Sequence, residues 1–135
     1  MHQILISHPS EFDLYIPQIL AAVPASKLIF LHGELGAGKT TFTQRLGKYL
    51  GVTRPIVSPT FTYIREYDAK DQRKLYHLDL YRFVGNIDDI FPAPDLDQVA
   101  YICIEWPERV PELLLQPHLD ITLSYHAETE RNIVW

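Results

Sequence analysis

Apolar positions along the chain change spacing several times, and each change marks an element. Gln3 to Ser7 alternates as a short strand. Ser10 is a plausible N-cap for an amphipathic helix that ends near Val23-Pro24. Lys27 to Leu31 is a continuous apolar run of strand length, and Phe42, Leu46, Tyr49 and Leu50 recur at helical spacing up to Gly51, which suits a left-handed helix end. Thr60 to Tyr67 and Lys74 to Leu80 read as neighbouring strands joined by the polar turn Asp68 to Arg73. Asn86 to Asp97, interrupted by Pro92 and Pro94, reads as a short helix and loop. Val99 to Trp106 has the profile of an interior strand, Pro107 to Leu115 of a short helix, and Asp120 to Tyr125 and Arg131 to Trp135 of closing strands. Interleaved strands and helices, with hairpin-like strands in the middle and at the end, predict an α/β fold. With the glycine-rich run Gly33 to Thr40 lying between the second strand and the helix after it, the expected form is a P-loop NTPase-like three-layer sandwich around a mixed, mainly parallel central sheet. Repeats, low-complexity tracts and linker runs are absent, so one domain over residues 1–135 is expected.

Between the first interior strand and the helix after it lies Gly33-Glu34-Leu35-Gly36-Ala37-Gly38-Lys39-Thr40, a complete G-x-x-x-x-G-K-[ST] phosphate-binding pattern in its required strand–loop–helix setting. Backbone N–H groups that curl around phosphate oxygens need torsions and close approaches that glycine tolerates, which Gly33, Gly36 and Gly38 supply. The loop opens a helix whose free N–H groups and positive dipole end favour anions. Lys39 adds a point charge for the β and γ phosphates, and Thr40 a hydroxyl for Mg²⁺. The guanine-reading Asn-Lys-x-Asp motif is missing, which favours adenine and hence ATP.

What is done with the nucleotide depends on the second half. Tyr101-Ile102-Cys103-Ile104-Glu105 is an apolar strand that ends in a carboxylate, the arrangement by which P-loop proteins hold Mg²⁺ or its water shell beside the loop threonine. Glu105 is the Walker-B-type residue on this reading. Trp106 either packs as core or covers the nucleotide site. In His77-Leu78-Asp79-Leu80-Tyr81-Arg82 an extended backbone puts Asp79 on the face opposite Leu78 and Leu80. Asp79 then orients the attacking water, sits in the metal's outer shell, or pairs with Arg82. His77 reads as a packed or hydrogen-bonded strand residue rather than a ligand. Ser58-Pro59-Thr60-Phe61 stands where many P-loop enzymes carry a γ-phosphate-sensing switch, with Thr60 presenting its hydroxyl; an ordinary ST-type turn is the alternative.

These four blocks, the loop extended through Thr41, Ser58 to Phe61, His77 to Arg82, and Ile104-Glu105-Trp106-Pro107, closely resemble the bacterial TsaE family in order and spacing over about Leu28 to Leu115. The resemblance implies a small ATPase of tRNA threonylcarbamoyladenosine (t6A) formation. On that resemblance it is expected to be weakly active alone, to work with TsaB and TsaD, to meet tRNA indirectly through that complex, and to reset the complex by ATP binding or hydrolysis. Carried over by position, the loop residues Gly33 to Thr41 hold the nucleotide, with Lys39 and Thr40 on phosphate and Mg²⁺. Glu105 holds the metal, Asp79 supports hydrolysis, Thr60 belongs to a switch-like segment, and Trp106 lies at the nucleotide site. Two departures stand out. The acidic helix expected after the Asp-Leu-Tyr-Arg block is here the proline-interrupted stretch Val84 to Leu96, and Phe12 stands where many members have threonine. Arg131 matches the family's late arginine.

Composition narrows the alternatives. A chain of 135 residues buries roughly two-thirds of its unfolded surface and needs no disulfide or metal staple. Its single cysteine, Cys103, sits within an apolar run as a core residue, no run reaches membrane-spanning length, and Met1-His2-Gln3-Ile4 shows neither a basic n-region nor a small-residue cleavage site. A cytoplasmic protein without membrane contact is expected. A net charge of −5 argues against a grip on DNA or other nucleic-acid backbone through the overall field. Arg45, Arg54, Arg65, Arg73 and Arg82 read first as a solvated face. A small-molecule kinase with Asp79 as general base and Arg82 as phosphate clamp is the second reading, and a nucleotide-dependent binding module the third.

Overall fold

The computed structural model describes residues 1–59 and 61–135. Its strands are β1 (Gln3–Ile6), β2 (Leu28–His32), β3 (Ile64–Asp68), β4 (Lys74–Asp79), β5 (Val99–Glu105), β6 (Leu119–Ala127) and β7 (Glu130–Val134), and its α-helices are α1 (Ile16–Ala21) and α2 (Lys39–Tyr49). All seven strands join one sheet in the order β1-β7-β6-β2-β5-β4-β3. The four central strands run parallel, while β3 against β4, β7 against β6 and β1 against β7 run antiparallel. The expected mixed α/β architecture is thus the one observed.

Composition explains which strands lie inside. Parallel strands covered on both faces read as apolar runs rather than alternations. In β2 the residues Leu28 to Leu31 are all buried, as are six of the seven residues of β5. Side-chain period two then divides the core. Ile29, Leu31, Leu75, Cys103 and Ile121 face α2, where they meet Phe42 and Leu46. Leu28, Phe30, Leu78, Leu80, Ile102 and Ile104 face the opposite layer with Val110 and Leu113. Fully buried side chains of this size stabilise the fold by about 1.5–3 kcal/mol each. Helix α2 stops where expected: Gly51 has φ 83°, and the Val52 N–H donates to the Gly47 carbonyl at 2.9 Å, closing a left-handed cap.

Prolines account for the differences from the predicted elements. The expected helix from Ser10 is instead a 3₁₀ turn at Pro9–Leu14 followed by α1. The cap is His8, whose Nδ1 accepts from the Ser10 N–H at 3.2 Å. Pro17 has no N–H to bond back to Asp13, so a continuous helix would break there. In the observed arrangement Pro17 falls in the first turn of α1, where its missing donor costs nothing. The helix expected over Pro107 to Leu115 is likewise two 3₁₀ turns, Pro107–Arg109 and Pro111–Leu115, divided at Val110-Pro111. Asn86 to Asp97 yields only the turns Ile87–Asp89 and Leu96–Gln98, capped by Asn86 and Asp95. The third layer is therefore built of short turns, whereas α1 and α2 cover the other face. Strand β3 begins at Ile64 rather than Thr60, after Tyr63 at φ 64°. Thr60 itself lies outside the described residues. No helix among those described is long and apolar enough to cross a membrane.

Candidate nucleotide-binding site

The loop between β2 and α2 takes its shape from glycine. Gly33 has φ 152°, and a Cβ there would stand 2.5 Å from the Leu123 carbonyl oxygen of β6. Gly38, at φ 109°, is the N-cap of α2 and offers no side-chain oxygen to the first turn, which leaves the helix's leading N–H groups available to an anion. Glu34, Leu35 and Gly36 form the exposed tip of the loop, while Ala37 is fully buried beneath it.

Lys39 is the first residue of α2 and is only 4% exposed. Its Nζ donates to the Gly33 carbonyl and sits 4.2 Å from the centre of the Trp106 ring. Burial draws the ammonium below its ordinary pKa, and the carboxylates of Glu105, Asp79 and Glu108 pull it back up. A desolvated cation held by one carbonyl and one aromatic face has spare capacity for a polyanion. Trp106 has φ 59°, which turns the chain out of β5. Its ring packs 5.0 Å from that of Tyr81, which in turn carries the Arg109 guanidinium at 5.3 Å.

Two carboxylates converge on this loop from the neighbouring strands. Glu105 ends β5, paired in register with Leu31 of β2 on one side and Asp79 of β4 on the other. It is 4% exposed, and its Oε2 accepts from Thr40 Oγ1 at 2.9 Å and from His77 Nε2 at 2.6 Å. Asp79 ends β4 on the face opposite Leu78 and Leu80, as its spacing predicts. Its Oδ1 accepts the Tyr81 N–H at 3.0 Å, and its Oδ2 has a long 3.4 Å contact from Ser58 Oγ. Burial raises the Asp79 carboxyl above the usual range; the Tyr81 N–H works against this and the Glu105 charge adds to it. Among the described residues Asp79 has no ion pair with Arg82.

Open spaces flank the loop on two sides. One, of about 160 Å³, lies between Gly36, Gly38, Thr41, His8, Phe12 and Arg131. Arg131 is fixed there by carbonyls of Glu128 and Glu130 and by stacking 4.0 Å over Tyr125. The other, of about 290 Å³, is bounded by Leu35, Ser58, Phe61, Asp79, Tyr81 and Arg82. The remaining arginines disperse: Arg45 pairs with Asp13, Arg73 with Asp71, and Arg54 lies over Tyr67.

Every loop residue singled out in the sequence, together with Asp79, Glu105 and Trp106, therefore meets at the carboxyl end of the parallel strands. What the sequence did not disclose is the tie between His77 and Glu105. The visible signal is only that His77 and Asp79 share a face of one strand, and the partner is 28 residues away. The donor set suits Mg²⁺-nucleotide: a glycine cradle that a Cβ would fill, an uncapped helix start, one buried ammonium, and a hydroxyl–carboxylate pair of hard oxygen ligands.

A mainly parallel sheet with a glycine-rich loop of phosphate-binding pattern at the end of a central strand, and carboxylates ending the adjacent strands, defines a P-loop NTPase-like α/β protein. The profile of the family described as Threonylcarbamoyl adenosine biosynthesis protein TsaE matches residues 7–133. The tRNA threonylcarbamoyladenosine biosynthesis protein TsaE of Synechocystis sp. is 41% identical over 106 residues, covering 75% of this chain and 67% of its own length. The protein of the same name from Bacillus subtilis is 35% identical over 132 residues, covering 95% of this chain and 80% of its own. The crystal structure of Bacillus subtilis YdiB superposes with a TM-score of 0.72 at 34% identity, covering 98% of this chain and 82% of that one. The chain belongs to the TsaE family.

Proposed function

We propose that this chain is the ATPase that supports t6A formation on tRNA, acting in the cytoplasm with TsaB and TsaD. The observation that carries the reading is the convergence of Lys39, Thr40, Asp79 and Glu105 at the ends of three adjacent parallel strands. Glycine loop and helix start receive the phosphates, and Lys39 exchanges the Gly33 carbonyl and the Trp106 face for phosphate oxygens. Thr40 and Glu105 are the residues that would hold Mg²⁺, which supplies charge neutralisation across the phosphates when bound.

On this reading Asp79 orients the attacking water. Its Oδ1 is engaged by the Tyr81 N–H, whereas Oδ2 has only the long contact with Ser58 and borders the second cavity. The raised proton affinity of its carboxyl makes it a better hydrogen-bond acceptor for the water than an ordinary aspartate. Thr60, beside Phe61 and Ser58 in sequence, is proposed to complete a γ-phosphate-sensing segment. Phe61 and Leu35 are 81% and 71% exposed at the rim of this cavity, so bulk water has access. An open site of this kind supports the expectation of slow turnover alone and of acceleration when partners cover it. On this account threonylcarbamoyl transfer belongs to the partners, tRNA is met through them, and ATP binding or hydrolysis here resets the complex.

Complementation tests the biological role. In a bacterium depleted of its own TsaE, this chain restores t6A measured in hydrolysed tRNA, and Lys39→Ala does not. Equal restoration by both would remove ATP from the account.

A further inference from the structure

His77 lies in the middle of β4, on the face that packs against α2, and is fully buried beside Leu75 and its register partner Cys103. An aliphatic residue would pack there without desolvating an imidazole. The histidine instead directs Nε2 at Glu105 Oε2 at 2.6 Å, the same oxygen that takes the Thr40 hydroxyl at 2.9 Å. A carboxylate oxygen accepts, so Nε2 is the donor in this bond, whereas Nδ1 has no hydrogen-bond partner among the described residues. A buried group left half-satisfied is weak as a stabilising device, which directs attention to what its one bond fixes.

We infer that His77 is a positioning residue for Glu105, holding Oε2 against the loop threonine and leaving Oε1 as the carboxylate oxygen for the divalent cation or its water. Glutamate has three rotatable side-chain bonds, and a strand-end position alone does not choose among their settings. Two donors on one oxygen, one from β4 and one from α2, do choose. The fold makes the bond possible because parallel pairing of β4 with β5 aligns Asp79 with Glu105, which sets His77 one same-face step behind both carboxylates. His77 need not touch nucleotide or metal; its effect passes through Glu105, as outer partners of metal-ligating groups do. The inference rests on the proposal that Glu105 serves a metal.

The experiment measures Mn²⁺ affinity by electron paramagnetic resonance in the full-length protein with a saturating non-hydrolysable ATP analogue, and analogue affinity separately in EDTA. Glutamine carries its amide nitrogen the same number of bonds from Cβ as histidine Nε2, whereas asparagine falls one bond short. His77→Gln is therefore expected to keep Mn²⁺ affinity within about threefold, and His77→Asn and His77→Leu to lose about 10–100-fold, with analogue affinity in EDTA unchanged in all three. Equal Mn²⁺ affinity in the Gln and Asn variants, or parallel loss of metal and metal-free analogue binding, would overturn the positioning role. That comparison stands even where the Leu variant does not fold. Glu105→Gln separates the two claims. If it leaves Mn²⁺ affinity intact, the metal reading fails and the inference with it. If it abolishes affinity while His77→Asn does not, only the inference fails.

Discussion

Asp79 and Glu105 are register partners at the carboxyl ends of adjacent parallel strands, two carboxylates on one face with the Lys39 ammonium as their common counter-charge. Asp79→Asn is expected to reduce phosphate release by at least about 100-fold while sparing ATP affinity. Comparable loss of both in a folded variant would assign Asp79 a binding role instead.

The same residue sets a pH dependence. Burial, and then the Glu105 charge, hold the Asp79 carboxyl above its unfolded value. The folded protein therefore favours protonated Asp79. This stabilisation is fully present below the unfolded pKa and is lost as pH rises through the higher folded value. Asp79→Asn should accordingly melt at the same or a higher temperature than wild type at neutral pH. The difference should narrow as pH falls through the raised value, and thermal scans across the acid range check this. The acid limb of wild-type hydrolysis should likewise lie above the usual aspartate range.

On the proposed reading Lys39→Ala would remove one charge-assisted phosphate contact, and it is expected to weaken ATP binding by about 10–100-fold, measured by calorimetry. The variant should stay folded, because the ammonium it deletes is desolvated and depressed in pKa in the free protein.

Trp106 provides an optical test of the same movement. In a Trp135→Phe background it is the sole tryptophan. Departure of the Lys39 ammonium from its ring on nucleotide binding should change its emission, and Lys39→Ala should start from a different emission and show little further change. An identical nucleotide response in both backgrounds would detach Trp106 from the loop.

At Gly33 an added Cβ meets backbone, the Leu123 carbonyl at 2.5 Å, at a φ of 152°. At Gly36 it meets the Tyr125 hydroxyl at 2.6 Å, the tip of a side chain that can swing away. Urea unfolding should show Gly33→Ala destabilised by about 1–3 kcal/mol, and Gly36→Ala by less.

The parts of the site that sequence made legible are those specified locally. The loop needs glycines at fixed steps, β5 needs an apolar run ending in Glu105, and two-residue alternation puts Asp79 opposite Leu78 whatever β4 pairs with. The tie between His77 and Glu105 depends on β4 lying beside β5 in parallel register, a relation set by packing and invisible in a lone histidine. Helical spacing likewise suggested helices at Ser10 and Pro107, but Pro17 and Pro111 withhold N–H groups at the positions where a continuous helix needs them, and short turns result. Thr60 lies outside the described residues, so its part in the site rests on sequence.

Phosphate release from Mg²⁺-ATP, with the purified chain alone and with TsaB and TsaD from the same organism, tests the central claim most directly. Slow release that rises several-fold with the partners and vanishes in Lys39→Ala is the result expected. Release unaffected by the partners, with the γ-phosphate recovered on an added small-molecule acceptor, would contradict it and make the chain a kinase.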